Sequence, residues 1–155
     1  MSVRLQSIAE SEFQSFLEAL LHQYAESRAS ADRVSIEEAE AFARRQYEAL
    51  LPEGLATPGH DFLRILDDRS GQHVGSLWLY VDLTAREAFI YDITVLSEYR
   101  RRGLASEAIR LAENRARAAG CRRIALNVFA ANKPAQVLYK KLGYCFVSHH
   151  MNKPL

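Results

Sequence analysis

The stretch Phe89-Ile90-Tyr91-Asp92-Ile93-Thr94-Val95-Leu96-Ser97-Glu98-Tyr99-Arg100-Arg101-Arg102-Gly103-Leu104-Ala105-Ser106 decides the reading of this chain. Its first seven residues are β-forming and, Asp92 and Thr94 apart, apolar or aromatic, so they read as a strand. After a short polar connection the chain turns through three arginines and a glycine. It then enters a run in which Ala105, Ala108, Ile109, Ala112, Ala116 and Ala119 recur at helical spacing. A helix start already carries unpaired N–H groups and a positive partial charge, so three arginines clustered there are unfavourable unless an anion is bound. Gly103 and Ala105 keep large side chains away from the backbone amides and Ser106 adds a hydroxyl, an arrangement that suits a phosphate. The competing reading is a solvated basic surface beside an ordinary helix start. Neither G-x-x-x-x-G-K-[ST] nor G-x-G-x-x-G occurs, which leaves a nucleotide triphosphatase or a dinucleotide enzyme without support.

Downstream of this turn, Gly120 closes the small-residue helix, and the alanines on its narrow face would let it lie close to a sheet. Ile124 to Val128 reads as a short strand. Lys133 to Leu142 reads as a short helix with proline in its first turn and Gly143 after its last, and Tyr144 to Asn152 as a final strand. Upstream, Phe62 to Leu66, Val74 to Leu83 and Ala88 to Val95 read as an antiparallel meander, the first two joined by Asp67-Asp68-Arg69-Ser70-Gly71. Val3 to Ile8 alternates weakly, as a first strand would. Phe13, Phe16, Leu17, Leu20, Leu21 and Tyr24 then mark a helix behind the capping pair Ser11/Gln14. Ser35-Ile36-Glu37-Glu38 is a capping box that opens a second helix, ended by Pro52 and Gly54. A helix between neighbouring strands makes a right-handed crossover to a parallel partner. The expectation is therefore an α/β (α+β) domain with a mixed sheet of about six to seven strands, flanked by about four helices and formed by residues 1–155 as one unit.

Composition narrows the function. The 155 residues are 48% hydrophobic and 25% charged, ordinary for a globular domain, and the formal net charge is +1. No global field would draw the chain to nucleic acid or to an anionic membrane, so any anion site must be local. No apolar run approaches the length of a membrane span, and Met1-Ser2-Val3-Arg4 lacks the apolar stretch of a leader, so the expected location is cytoplasmic. Cys121 and Cys145 have neither zinc nor disulfide spacing. His149 and His150 are adjacent and would point to opposite faces of a strand, so no metal is expected there. His22, His60 and His73 read as isolated surface or capping groups, and Trp78 as core, with Tyr80 a candidate for lining a cleft.

Two blocks carry a resemblance. Arg100, Gly103 and Ala105 write R-x-x-G-x-A, and Asn132-Lys133-Pro134-Ala135-Gln136-Val137-Leu138-Tyr139-Lys140-Lys141-Leu142-Gly143-Tyr144 writes N-x-x-A-x-x-L-Y-x-x-x-G-[FY]. Together, and in this order, they resemble the acetyl-CoA signature of the GNAT superfamily of N-acetyltransferases. The likeness covers essentially the whole chain, weakly before Phe62 and well after Phe89. Ala105 stands where glycine is commoner. The resemblance implies a GNAT-like fold, acetyl-CoA as co-substrate without a metal, and direct attack of a primary amine on the thioester in a ternary complex. It further implies that backbone at Ile93, Thr94 and Val95 binds the pantetheine arm. Arg100, Arg101, Arg102, Gly103, Leu104, Ala105 and Ser106 would bind the phosphates, and Asn132, Ala135 and Tyr139 would complete the cofactor contacts. By position Tyr139 would protonate the departing thiolate. The general base is open: Asp92 is either the base, directly or through water, or a structural acceptor, with Tyr91 and Glu87 as alternates. The acceptor would be a small-molecule or peptide amine, selected by the first two helices, the loop from Glu26 to Ser35, the Pro/Gly loop and the last strands. A homodimer is left open, and the rival function is a non-catalytic acetyl-CoA-binding sensor or complex subunit.

Overall fold

The computed structural model describes residues 2–155. In chain order the elements are β1 (Val3–Ser7), α1 (Glu10–Asp32), α2 (Ile36–Leu50), β2 (His60–Asp67), β3 (His73–Asp82), β4 (Glu87–Val95), α3 (Leu104–Ala118), β5 (Arg123–Leu126) and α4 (Lys133–Lys141). Single 3-10 turns precede β2 at Gly54–Ala56 and α3 at Ser97–Tyr99. The five strands form one sheet in the order β1-β2-β3-β4-β5. The first four pair antiparallel and β5 joins β4 in parallel, which is the mixed sheet expected from the switch of period along the chain.

The chain resolves into two compact units. The first takes the N-terminal residues through Phe13 and Glu53–Asn127, and so holds the sheet and α3. Leu63, Ile65, Leu77 and Leu79 are fully buried, as are Leu104, Ala108, Ile109 and Ala112 of α3. This helix lies against β1, β3 and β4, and its alanines permit that close approach because they carry no side chain beyond Cβ. On the β2–β3 turn Asp67 accepts N–H bonds from Arg69 and Ser70 at 2.8 and 2.9 Å, which hold its carboxyl below the usual carboxylate range. The second unit, Gln14–Pro52 with Val128–Leu155, holds most of α1, with α2 and α4. Here Ser35 caps α2 by accepting the Glu38 N–H, as its capping box requires. Glu18 pairs with Arg44 at 2.9 Å, and the rings of Tyr24 and Tyr47 stack at 6.0 Å.

Three expectations differ from the structure. Five strands rather than six or seven occur among the described residues, because Tyr144 to Asn152 forms no strand. The alternation there is real, yet Val147 is 97% exposed and Met151 89%, and a strand exists only where a neighbouring edge takes its N–H and C=O groups. Helix α1 starts at Glu10, so Ser11 lies inside its first turn and caps nothing. The same helix runs on to Asp32, which shrinks the expected loop from Glu26 to the residues just before Ser35. Arg28 explains the extension, since it meets Asp32 at 3.1 Å and lies 4.1 Å over the ring of Phe42. No helix among the described residues is long and apolar enough to cross a membrane.

One glycine fixes the spacing of the central strands. A Cβ on Gly75 would lie 2.2 Å from the carbonyl oxygen of Thr94 and 3.1 Å from Cα of Val95, so β3 approaches β4 as only glycine permits. Gly75→Ala should destabilise the chain by about 1–3 kcal/mol, the usual cost of overpacking, read as a lower denaturant midpoint at unchanged slope. An unaltered midpoint would mean that the two strands separate freely at this point.

Candidate active site

The site begins with an irregularity in β4. Trp78 pairs with Asp92 and Leu79 with Ile90, so Tyr91 is an extra residue, a β-bulge. A bulge bends its strand and places consecutive side chains on one face. Tyr91 meets the ring of Trp78 at 4.7 Å, while Asp92 pairs with the same residue. The parallel ladder between β4 and β5 runs from Glu87↔Arg123 to Ile90↔Leu126 and stops at the bulge. Beyond it β4 keeps β3 and has lost its other neighbour.

That open edge carries defined groups. Leu96 N–H donates to Val74 C=O at 2.9 Å, and antiparallel pairing alternates, so Thr94 turns its backbone to β3 while Ile93 and Val95 turn theirs to the open edge. Of the three backbone positions expected to bind a cofactor arm, two therefore face the gap. The Val95 carbonyl already accepts from Arg100 Nε at 3.0 Å. Thr94 contributes its side chain instead, donating its hydroxyl to Asp92 at 3.0 Å.

The chain continues from this edge into the arginine turn. Arg101 has φ 62° and Gly103 φ 78°, both left-handed. Helix α3 has no side-chain cap, and its first bond runs from Glu107 N–H to Gly103 C=O at 3.2 Å, so the N–H groups of Leu104, Ala105 and Ser106 lie ahead of the helical ladder. A Cβ at Gly103 would meet nothing within 4 Å, which leaves room in front of those amides. Arg102 donates to the Glu98 carbonyl at 2.9 Å and lies 5.5 Å from the Tyr99 ring. All three arginines are exposed. The turn thus concentrates positive charge and backbone donors on one small surface.

Asp92 keeps part of its surface in contact with solvent, yet its surroundings are dense enough that burial pushes its pKa up to about 6, against a smaller lowering by the Thr94 hydroxyl. The alternates fare worse as bases. Burial, with a smaller contribution from Tyr80, raises the Tyr91 phenol above its ordinary value, and Glu87 is held by Arg123 at 2.5 Å. In the second unit Asn132 caps α4 by accepting the Ala135 N–H at 3.3 Å, and Pro134 sits in the first turn. Tyr139 is half-buried, with its ring 5.8 Å from that of Tyr144. Residues 91–106 thus lie together in the first unit, and Asn132, Ala135 and Tyr139 together in the second.

Trp78 is buried, as expected, at 1% exposure. His60 departs from the reading as an isolated surface or capping group: it is half-buried, and its Nδ1 accepts the Trp78 indole N–H at 2.9 Å. The signal that could have found it is parity, because His60, Phe62, Trp78 and Tyr80 fall on one face once the β2–β3 turn is placed. The bulge itself leaves no mark in the sequence.

A strand that loses one partner at a bulge thus runs into an arginine-glycine turn and an uncapped helix, and known proteins share this fold. The chain belongs to the acetyltransferase (GNAT) family, whose model matches residues 15–144. It is 34% identical over 157 aligned positions to the uncharacterized N-acetyltransferase YdgE of Bacillus subtilis (strain 168), covering 100% of this chain and 99% of the relative. The crystal structure of YycN, another uncharacterized N-acetyltransferase of that organism, superposes with a TM-score of 0.90 at 32% identity, covering 99% of both chains. An aminoglycoside acetyltransferase from an uncultured soil sample superposes at 0.60 with 26% identity, covering 100% of this chain and 99% of the other.

The Asp92 carboxyl yields a stability prediction. Its folded pKa of about 6 exceeds the ordinary 3.8, so the folded chain holds the proton more tightly, and stability falls as pH rises from about 4 through 6. Asp92→Asn removes that loss. The variant should melt above wild type at pH 7.5, by a margin that closes towards pH 4. A margin independent of pH would mean that the carboxylate is not strained by burial.

Proposed function

We propose that this chain is an acetyl-CoA-dependent N-acetyltransferase that acetylates a primary amine by direct attack within a ternary complex. The observation that carries this reading is the open edge of β4 beyond its bulge, running directly into the uncapped start of α3. The donor set fits the co-substrate: the amides of Leu104, Ala105 and Ser106, with Arg100, Arg101 and Arg102, suit phosphates, and the room at Gly103 admits them. The backbone of Ile93 and Val95 suits the amides of the pantetheine arm, and the start of α4 at Asn132 and Ala135 adds further contacts. Acetyl-CoA supplies the acetyl group as an activated thioester.

The chain's own groups supply the rest. A backbone N–H on the open edge of β4 is placed to polarise a carbonyl oxygen, an effect worth about 3–4 kcal/mol where such a donor has been removed from other enzymes. Asp92, with a pKa near 6, is ionised at neutral pH and accepts the proton of the amine, directly or through water. The Tyr139 phenol holds the proton that the departing sulfur needs. A non-catalytic acetyl-CoA sensor would need the phosphate turn alone. The raised carboxyl on the strand beside that turn, with Tyr139 in the second matched block, favours the enzyme.

The first measurement is calorimetry with acetyl-CoA on wild type and Gly103→Glu, with thiol release followed against mixed amines. Micromolar binding is expected for wild type and none for Gly103→Glu, whose carboxylate would take the place of a phosphate. Gly103→Ala, which bears only the left-handed strain of about 1 kcal/mol, should still bind. No binding by wild type would overturn the cofactor reading. With an accepted amine, Tyr139→Phe should slow turnover on the order of a hundredfold. Wild-type kcat/KM should rise with pH through about 6, a rise that Asp92→Asn loses.

A further inference from the structure

The face of the sheet away from α3 is lined with rings. His60 of β2 stacks on Tyr80 of β3 at 4.4 Å. Tyr91 of β4 stacks on Trp78 at 4.7 Å and meets Phe89 at 4.6 Å. Packing accounts for Trp78 and Phe62, which are 1% and 2% exposed. Tyr80, Phe89 and Tyr91 all keep contact with solvent, as does His60 while it accepts the Trp78 indole N–H. Asp92 lies on the same face, opposite Trp78, and Tyr80 is two residues further along β3, a step of roughly 7 Å.

Most of the charged groups around these rings are already engaged. Arg64 of this face pairs with Glu12. At the far end Asp82 accepts the Ala85 N–H at 2.9 Å, and Glu87 holds Arg123. His60 is uncharged at neutral pH, since burial lowers its pKa and Asp61 only partly offsets that. Asp92, answered only by the Thr94 hydroxyl, is the carboxylate left to meet a cation. The surface therefore offers rings along most of its length and one anionic group at one end.

We propose that this ring-lined face is the acceptor site and that the acceptor is an arylalkylamine, its aromatic body against Tyr80 and His60 and its primary amine at Asp92. The assignment rests on the acetyltransferase reading. An aromatic body gains by offset or edge-on contact with the rings, in addition to the area it buries. A separation of roughly 7 Å suits an amine joined to a ring by a linker of a few atoms. A polyamine would need further carboxylates close to Asp92 for its other charges, whereas Glu87 is held by Arg123 and Asp82 lies at the far end of the face on the Ala85 N–H. An aminoglycoside would need a comparable set of polar partners, which the rings lack.

The test measures thiol release with acetyl-CoA and a panel of phenethylamine, tryptamine, spermidine and kanamycin, on wild type, Tyr80→Leu and Tyr80→Phe. Acetyl-CoA affinity and melting temperature are recorded for each. The expected result is kcat/KM at least tenfold higher for the arylalkylamines than for the other two. Tyr80→Leu should raise KM for phenethylamine about tenfold with kcat within threefold and acetyl-CoA affinity unchanged, and Tyr80→Phe, which keeps the ring, should stay near wild type. Acetyl-CoA binding with faster turnover of spermidine or kanamycin would overturn this proposal and leave the acetyltransferase standing, as would a phenethylamine KM insensitive to Tyr80→Leu. Failure to bind acetyl-CoA would overturn both.

Discussion

One extra residue in β4 governs the arrangement of this chain. With Tyr91 inserted opposite Trp78, the strand bends just where its parallel ladder with β5 ends at Ile90↔Leu126. A regular strand would continue that pairing and close the edge. Gly75 is the counterpart of the bulge, because its missing side chain lets β3 hold the Thr94–Val95 segment at close range while the other edge opens. The strand is thus held on one side and free on the other, and that asymmetry leaves the Ile93 and Val95 amides available. The bulge also sets the face. Under strict alternation Tyr91 and Asp92 would point to opposite sides of the sheet, but here both belong to the Trp78 side, so rings and a carboxylate share a surface.

Much of this was legible in the residues, for identifiable reasons. The meander and the crossover helix follow from a change of hydrophobic period near His60 and back again after Val95, and both changes survive folding. The arginine turn stands out in the residues because a charge cluster at a helix start is costly without an anion, and in the structure the amides there lack a side-chain cap and Gly103 has open space. What could not be read depended on partners. Tyr144 to Asn152 has the alternation of a strand and no edge to complete it. The last turns of α1 depend on Arg28 meeting Asp32 and Phe42, the second of them far along the sequence. The bulge is a matter of register between two strands, and neither strand announces it alone.

The electrostatics separate into two devices that a net charge of +1 conceals. At the turn, Arg100 and Arg102 spend part of their donor capacity on backbone carbonyls, which fixes the guanidinium groups and leaves the charge undiminished. At Asp92 the opposite occurs. A carboxyl is placed where its charged form is disfavoured, so its proton affinity rises into the range useful for exchange near neutral pH. Under the proposed function the first device would serve an anion and the second a proton, and Ile93 and Thr94 separate Asp92 from Val95 and the approach to the turn.

Each feature in this stretch weakens the fold locally. Arg101 adopts a left-handed backbone outside glycine, α3 begins without a side-chain cap, β4 gives up half of its pairing, and Asp92 is ionised against its surroundings. All four fall between residues 91 and 106, whereas elsewhere in the first unit a left-handed Arg86 and a register shift at Ile65/Leu66 stand apart from one another around the core of Leu63, Ile65, Leu77, Leu79 and α3. A sheet that needed only to be stable would remove each weakness by an ordinary change: a cap before Leu104, a glycine at position 101, a regular strand, an apolar residue at position 92. Their concentration in one segment is what is expected where strain is retained for binding and chemistry and offset by the surrounding core. The ring-lined face shares Trp78 and Phe62 with the core, and His60 satisfies the Trp78 indole, so Tyr80 rather than His60 is the ring that could change without disturbing it. Under the proposed function the α3 side of the sheet would maintain the fold and the β4 edge would carry the acetyl-transfer chemistry.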